Sequence, residues 1–475
     1  MQNLSYSIRT AAFAGVLLVA AVAFIKSPAA AQGQTGSPAP AVPGAELSNQ
    51  EVRDLARQIL QVGTLERNGL MARLVDRGNA DVVPALIQSL RFLRHDPWTI
   101  TGALDSLTGT SNGTSWHKWM LWQEGRPDIV PFEGFDEFKS WVYSNIDPNL
   151  GAFFYAGIPH TIRLEEITWG GVVKDGIPAL VNPKLIPPAE ADYITPDELV
   201  FGIEINGDAR AYPLRMMDWH EMFNDVIGGV PVALAYCTLC GSGILFETDV
   251  AGRDAPFEFG SSGLLYRSNK LMFDRETDTL WHQFTGKPVA GKLVGSGIEL
   301  KVRPVAITSW AKWHARHPDT MVLSLDTGYE RDYTPGRPYA AYFESPDLMF
   351  PARVNDTRLA AKDYVFALRM GDAEKAWALD VFKDQPVLND TIGGRGVVLL
   401  GDPSSRTVRA YETGGKEFTA RTENPEILTA AGDEWRVTED ALVSVDGDTL
   451  ARLPGHIAYW FAWQNFRPGA ETRFE

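Results

Sequence analysis

The stretch Asn224-Asp-Val-Ile-Gly-Gly-Val-Pro-Val-Ala-Leu-Ala-Tyr-Cys-Thr-Leu-Cys-Gly-Ser-Gly243 contains the only two cysteines of the chain, Cys237 and Cys240. Gly228-Gly229 reads as a tight turn, Val230–Tyr236 as an apolar run, and Gly241 and Gly243 follow the cysteines. That order describes a core strand delivering a C-x-x-C pair onto a glycine turn. Proteins present a metal knuckle or a redox pair in this way.

The same stretch recurs. Laid on itself at an offset of 165 residues, the chain matches without a gap, with eleven identities between 200–236 and 365–401. Asn224-Asp225 faces Asn389-Asp390, Ile227-Gly228-Gly229 faces Ile392-Gly393-Gly394, and Val232 and Leu234 face Val397 and Leu399. A repeat at this spacing implies a duplicated strand–turn–strand unit. It also separates scaffold from site, because His220, Glu221, Cys237 and Cys240 face Gln385, Pro386, Asp402 and Ser405. The second copy keeps the turn and loses the ligands.

Outward from the repeat, residues 158–330 break into short apolar runs divided by Gly, Pro, Asn and Asp. Leu199–Ile205, Asn206-Gly207-Asp208 and Ala209–Leu214 form a hairpin signal, and Ser309–His317 reads as a helix. Upstream the period changes. Ser48 and Glu51 are placed as a capping box, and apolar residues recur at helical spacing through Val52–Leu60, Leu65–Val75, Val82–Leu93 and Ile100–Leu107. This region is weakly similar to HEAT-type helical repeats, a packing module that offers a surface for a protein partner.

The N-terminus reads as an export signal: Arg9, an apolar segment from Ala11 to Ile25, then Ala29-Ala30-Ala31. The segment is shorter than the roughly 20 residues needed to span a bilayer, so no stable membrane insertion is expected after cleavage. The expected fold class is α+β, with a mainly β body of two duplicated halves and an N-terminal α-helical domain. Expected boundaries are 1–31 signal peptide, 32–47 linker, 48–125 helical domain, 126–330 the β-rich half with the site, and 331–475 the β-rich half without it. The expected location is periplasmic or secreted.

With 60 acidic against 44 basic residues and a net charge of −16, neither nucleic acid nor an anionic membrane is an expected partner. Two cysteines cannot staple a chain of 475 residues, and 14 tryptophans point to a large apolar core instead.

Cys237 and Cys240 fit two chemistries. As thiolates they bind a soft or borderline ion, copper or zinc, with His220, His282 and Met272 the further ligand candidates. Without metal they cycle between dithiol and disulfide. An inert local disulfide in a non-catalytic binding or scaffold protein is the third account. Gly241 rather than His after Cys240 excludes covalent haem, and no glycine-rich phosphate loop indicates a nucleotide. His220-Glu221-x-x-Asn224 lacks the second histidine of a metalloprotease helix, leaving His220 and Glu221 as catalytic candidates. Asn269, Asp274, Arg275, Trp281 and Gln283 form a polar-aromatic stretch suited to lining a pocket.

Together, His220-Glu221, Asn224-Asp225, Tyr236-Cys-Thr-Leu-Cys-Gly241, Asn269, Asp274-Arg275 and Trp281 resemble the domain-of-unknown-function 3179 family. Asp326-Thr-Gly-Tyr329, Arg331-Asp332-Tyr333, Phe350-Pro351 and Tyr459-Trp-Phe-Ala-Trp463 extend the resemblance over about residues 155–470. Thr238 stands where the family has proline. The resemblance implies a shared site around His220 and the cysteines and brings no reaction or substrate. The expected function is an exported metal-binding protein, copper or zinc, used in redox chemistry or metal handling, a metal-dependent oxidoreductase if an enzyme. A thiol–disulfide oxidoreductase and a non-catalytic protein remain alternatives.

Overall fold

The structure is a computed structural model and describes residues 47–93, 95–421 and 426–474. The expected signal peptide and nearly all of the expected linker lie outside the described residues. The class is α+β, with helices gathered at the N-terminal end and a β-rich body after them. Among the described residues no helix is long and apolar enough to cross a membrane.

The duplication governs the body. Leu199–Ile205 and Asp208–Pro213 form a hairpin through Asn206 and Gly207, both at positive φ as a two-residue turn requires. A short helix, Leu214–His220, leads into the paired strands Met222–Ile227 and Val230–Cys237. A 3-10 turn over Thr238–Cys240 then gives the strand Ser242–Glu247. The second copy repeats this order as Tyr364–Met370, Ala373–Ala378, Leu379–Lys383, Val387–Ile392, Arg395–Asp402, Pro403–Ser405 and Thr407–Glu412.

The copies extend further than the ungapped match. Ala306–Ser309 pairs antiparallel with Leu199–Ile205, placing Ala306 opposite Gly202, and His456–Tyr459 pairs with Tyr364–Met370, placing His456 opposite Ala367. Met321–Leu323 and Glu471–Arg473 add parallel to the outer hairpin strands in matching register. These later elements are offset by 150 residues rather than 165, because the intervening chain is shorter in the second copy.

The repeated Asn-Asp pair has a defined task in each copy. The Asn224 side chain donates to the Phe259 carbonyl at 2.9 Å and accepts from the Phe259 N–H at 2.8 Å. Asn389 makes the same two bonds to Phe418, at 2.7 and 2.8 Å. In the second copy this joins the two edges of an eight-stranded sheet, from Val387–Ile392 at one side to Thr419–Ala420 at the other. An amide side chain takes the place of a missing ladder partner and brings the two outer strands of the sheet together at this point. In the first copy the bridge ties the Val230–Cys237 sheet to the Phe259–Tyr266 sheet. The following aspartates hold the outer hairpin: Asp225 accepts from Arg210 and Tyr212, both at 2.7 Å, and Asp390 accepts from Lys375 at 3.0 Å and Trp377 at 2.8 Å.

Between the bridged sheets of the first copy lies a core of Ala235, Ile244, Phe246, Phe257, Phe259, Met272 and Trp281, into which Cys237 and Cys240 project. The helices cover the opposite face of the Phe259–Tyr266 sheet. Ile100, Phe138 and Val142 share one core with Leu264, Leu271, Phe273 and Leu280. Lys139 is buried there and donates to the Ile167 carbonyl at 2.5 Å. Phe138, Lys139 and Val142 come from the helix Phe135–Ser144, and Leu150 of the short helix Pro148–Gly151 joins the same core.

Replacing Asn224 with Ala leaves two buried backbone groups of Phe259 without partners. The expected cost is about 2–4 kcal/mol, read from the urea midpoint. Asn389→Ala should cost less than half as much, because Asn389 is exposed and water can take its place.

Candidate functional site

The helix Leu214–His220 stops at Glu221, which lies in the left-handed region at φ 54° and donates its N–H to the Met217 carbonyl at 2.7 Å. A side chain other than glycine there carries local strain, a cost that persists where the surroundings fix the conformation. The reversal sends His220 and its neighbour Glu221 into different environments. The second copy has Pro386 at this position, whose ring holds φ near −65°, so it cannot make the same turn.

Glu221 is the hub of a buried polar cluster. Lys270 donates to Oε2 at 2.8 Å and Ser261 at 3.5 Å; Thr238 and Tyr339 donate to Oε1, both at 3.3 Å. The Lys270–Glu221 pair is almost entirely removed from water. Losing one member of such a pair strands the other charge and typically costs about 3–5 kcal/mol. Thr238 belongs to the cysteine turn, so the carboxylate is tied directly to the C-x-x-C segment.

Cys237 and Cys240 are free and buried, with their sulfurs 2.8 Å apart. Asn269 donates to Cys240 Sγ at 3.2 Å, and the orientation of its amide is determined. Gln283 Nε2 donates to the carbonyls of Ala235 at 2.8 Å and Ser242 at 2.9 Å, which can only accept. Gln283 Oε1 therefore faces Asn269 and accepts from its Nδ2 at 2.8 Å. The other atom of that amide, Asn269 Oδ1, is buried without a hydrogen-bond partner. Burial, then the adjacent Cys237, pushes the Cys240 thiol well above its ordinary pKa.

Tyrosines wall the turn. Tyr342 donates to the Leu239 carbonyl at 2.7 Å, and the Lys362 ammonium lies 3.4 Å from its ring centre. Gly241 packs against Tyr364 and Tyr459 of the second copy; a Cβ on it would come within 2.9 Å of one ring and 3.2 Å of the other. Its counterpart Arg406 has a similar φ of 54°, so close approach rather than φ alone requires glycine at 241. Asp218, one turn before Glu221, is buried with Oδ1 unpartnered, and burial raises its carboxyl to about 8.

The remaining sequence candidates are dispersed. His220 lies on the other side of the reversal, with Nδ1 2.9 Å from the Pro178 carbonyl and Nε2 2.5 Å from the Tyr333 hydroxyl. His282 packs against Phe466, and its Nδ1 accepts from the Phe284 N–H at 3.2 Å. Met272 shares the cysteine core. Asp274 accepts from Trp281 Nε1 at 2.9 Å and from Thr277, while Arg275 pairs with Asp175 at 2.8 Å and Glu258 at 2.7 Å at the surface. Of the proposed pocket residues, Asn269 and Gln283 reach the cysteines. Among the described residues no three His, Cys, Asp or Glu side chains are grouped closely enough to hold a metal ion. Lys270, Ser261, Tyr339, Tyr342 and Asp218 escape sequence reading. Of these only Asp218 had a local cue, its place beside His220-Glu221.

Fold and site define a duplicated α+β protein in which one copy encloses, between two bridged sheets, a dithiol beside a buried, lysine-paired carboxylate. Residues 174–470 match the family described as Protein of unknown function (DUF3179), and the chain belongs to that family. No curated protein and no solved structure matches the chain.

An unfolded aspartate ionises near pH 4, whereas folded Asp218 holds its proton to about 8. The folded state therefore binds more protons between those values, and stability falls as pH rises through the window. Asp218→Asn removes this slope. Relative to the unmodified protein, the variant should gain stability steadily from pH 4 to 8 and no further above it, in urea midpoints. A difference independent of pH contradicts the raised carboxyl.

Proposed function

We propose that the chain is an exported dithiol protein whose Cys237 and Cys240 cycle between two thiols and a disulfide. The observation that carries this reading is the pair itself: two free sulfurs 2.8 Å apart on one turn. Oxidation removes two electrons and two protons and forms the Sγ–Sγ bond. A disulfide of the surroundings takes them up and is cleaved to two thiols. Asn269 orients Cys240, and the Glu221–Lys270 pair fixes the turn through Thr238. The raised Cys240 thiol suits a buried thiol that keeps its proton until the bond closes.

A second reading, a copper centre, is favoured by one observation. The Met272 thioether shares the core of the two sulfurs, and the amide that bonds Cys240 has its buried oxygen, Asn269 Oδ1, unpartnered. Thiolate and thioether ligands select copper(I), and zinc would require further oxygen or nitrogen ligands.

One experiment tests both. The purified protein is equilibrated in glutathione buffers of graded potential, its thiols are alkylated under denaturing conditions and counted by mass, and bound metal is measured in parallel. The expected outcome is a joint loss of both thiols over a narrow range of potential, with Cys237→Ser and Cys240→Ser each leaving one thiol unable to close the bond. Stoichiometric copper, lost in both variants, supports the second reading. Thiols that never pair, in protein without metal, contradict both.

A further inference from the structure

His220 is left unused by the dithiol, and its hydrogen bonds specify a different task. The Pro178 carbonyl facing Nδ1 at 2.9 Å can only accept, so Nδ1 carries the ring proton. Nε2 then presents a lone pair, and the Tyr333 hydroxyl, 2.5 Å away, must donate to it. With that proton committed, the Tyr333 oxygen can only accept from Thr327, 2.6 Å away. Thr327 in turn accepts from the Tyr329 N–H at 3.4 Å. The direction of every bond in this relay is fixed, and the Tyr333 oxygen keeps one accepting position. Burial holds His220 near 4, in agreement with a neutral ring.

Tyr333 lies in the wall of a surface cleft of about 780 Å³, also lined by Tyr193, Tyr329 and Arg331. That volume lies in the range of small-molecule sites, roughly 300–1,000 Å³. Arg215 in the same wall is committed to Glu198 at 2.6 Å and to the Tyr193 carbonyl at 2.7 Å. Arg331 differs: its guanidinium donates to the carbonyl of its own neighbour Glu330 at 3.0 Å and lies 5.8 Å from the Trp219 ring centre. Among the described residues no carboxylate pairs with it. Glu330 and Asp332 also line the cleft, and Asp332 faces Arg337 at 4.0 Å. These rim acids oppose a multiply charged anion and leave room for a single negative charge.

We propose that this cleft is a ligand site separate from the dithiol, and that it takes a small aromatic carboxylate bearing a hydroxyl group. Arg331 holds the carboxylate, the Tyr193 and Tyr329 rings flank the aromatic ring, and the ligand hydroxyl donates to the Tyr333 oxygen. A preset acceptor of this kind discriminates between ligands with and without the hydroxyl.

The test is calorimetric titration of the full chain with benzoate, 3-hydroxybenzoate, 4-hydroxybenzoate and benzylamine. Saturable binding is expected for at least one hydroxybenzoate, more tightly than for benzoate. Arg331→Gln, at an exposed position that does not threaten the fold, should weaken every carboxylate about tenfold. Tyr333→Phe should abolish the advantage of the hydroxyl and leave benzoate binding unchanged. Cys237→Ser should bind all four probes as the unmodified protein does, which separates this site from the dithiol. The proposal is overturned by the absence of saturable carboxylate binding, by benzoate and both hydroxybenzoates binding alike, by carboxylate binding indifferent to Arg331→Gln, or by preferential binding of benzylamine.

Discussion

Two asparagine side chains fasten this fold at equivalent places in its two copies. A β-sheet that curls on itself ends in two rows of unpaired peptide groups, which must be joined, covered or exposed to water. In each copy one amide, Asn224 or Asn389, supplies the donor and the acceptor that a neighbouring strand would have supplied. In the first copy that seam ties the two sheets whose apolar faces keep the two sulfurs from water. The adjacent aspartate anchors the outer hairpin to the same strand. The two-residue signature thus fixes both the bridge between strands and the placement of the hairpin beside it.

The site arises from how the copies differ on this common frame. The left-handed reversal at Glu221 cannot be made by Pro386, and with it go the carboxylate and its lysine partner. Lys270 is buried because Glu221 is there to receive it, so the two charges stand together or not at all. The second copy solves its own burial problem differently. Glu439 is buried against Arg409 at 2.7 Å, with Arg316 of the first copy at 3.2 Å and Arg452 also bonded. One copy places its ionic cluster beside a dithiol, the other at the junction between the halves.

Much of the frame was legible in the sequence. The hairpin at Asn206-Gly207, the strand before the cysteines and the capping box at Ser48 all follow from local rules, and the duplication follows from simple self-comparison. The pairing of Cys237 with Cys240 needed only their spacing. The expected gathering of His220 with the cysteines had no such support. Adjacent residues normally diverge, and the positive φ at Glu221 leaves no mark in a glutamate. Lys270 lies 49 residues from Glu221 and Tyr339 lies 118, so no window of sequence contains the cluster. The second half of the repeat was hidden for a related reason: a shift in offset breaks an ungapped match although the register of the strands is preserved.

The close packing of Gly241 on Tyr364 and Tyr459 has a consequence in time. A chain is made from its N-terminus, so the cysteine strand exists well before the rings that close over it. Until residues 364 and 459 have emerged and the halves have docked, the turn at Gly241 lacks the two rings that pack on it. The thiols are therefore more open to oxidants and metal ions during synthesis than afterwards. The state that the dithiol first takes is set while the protein is still incomplete.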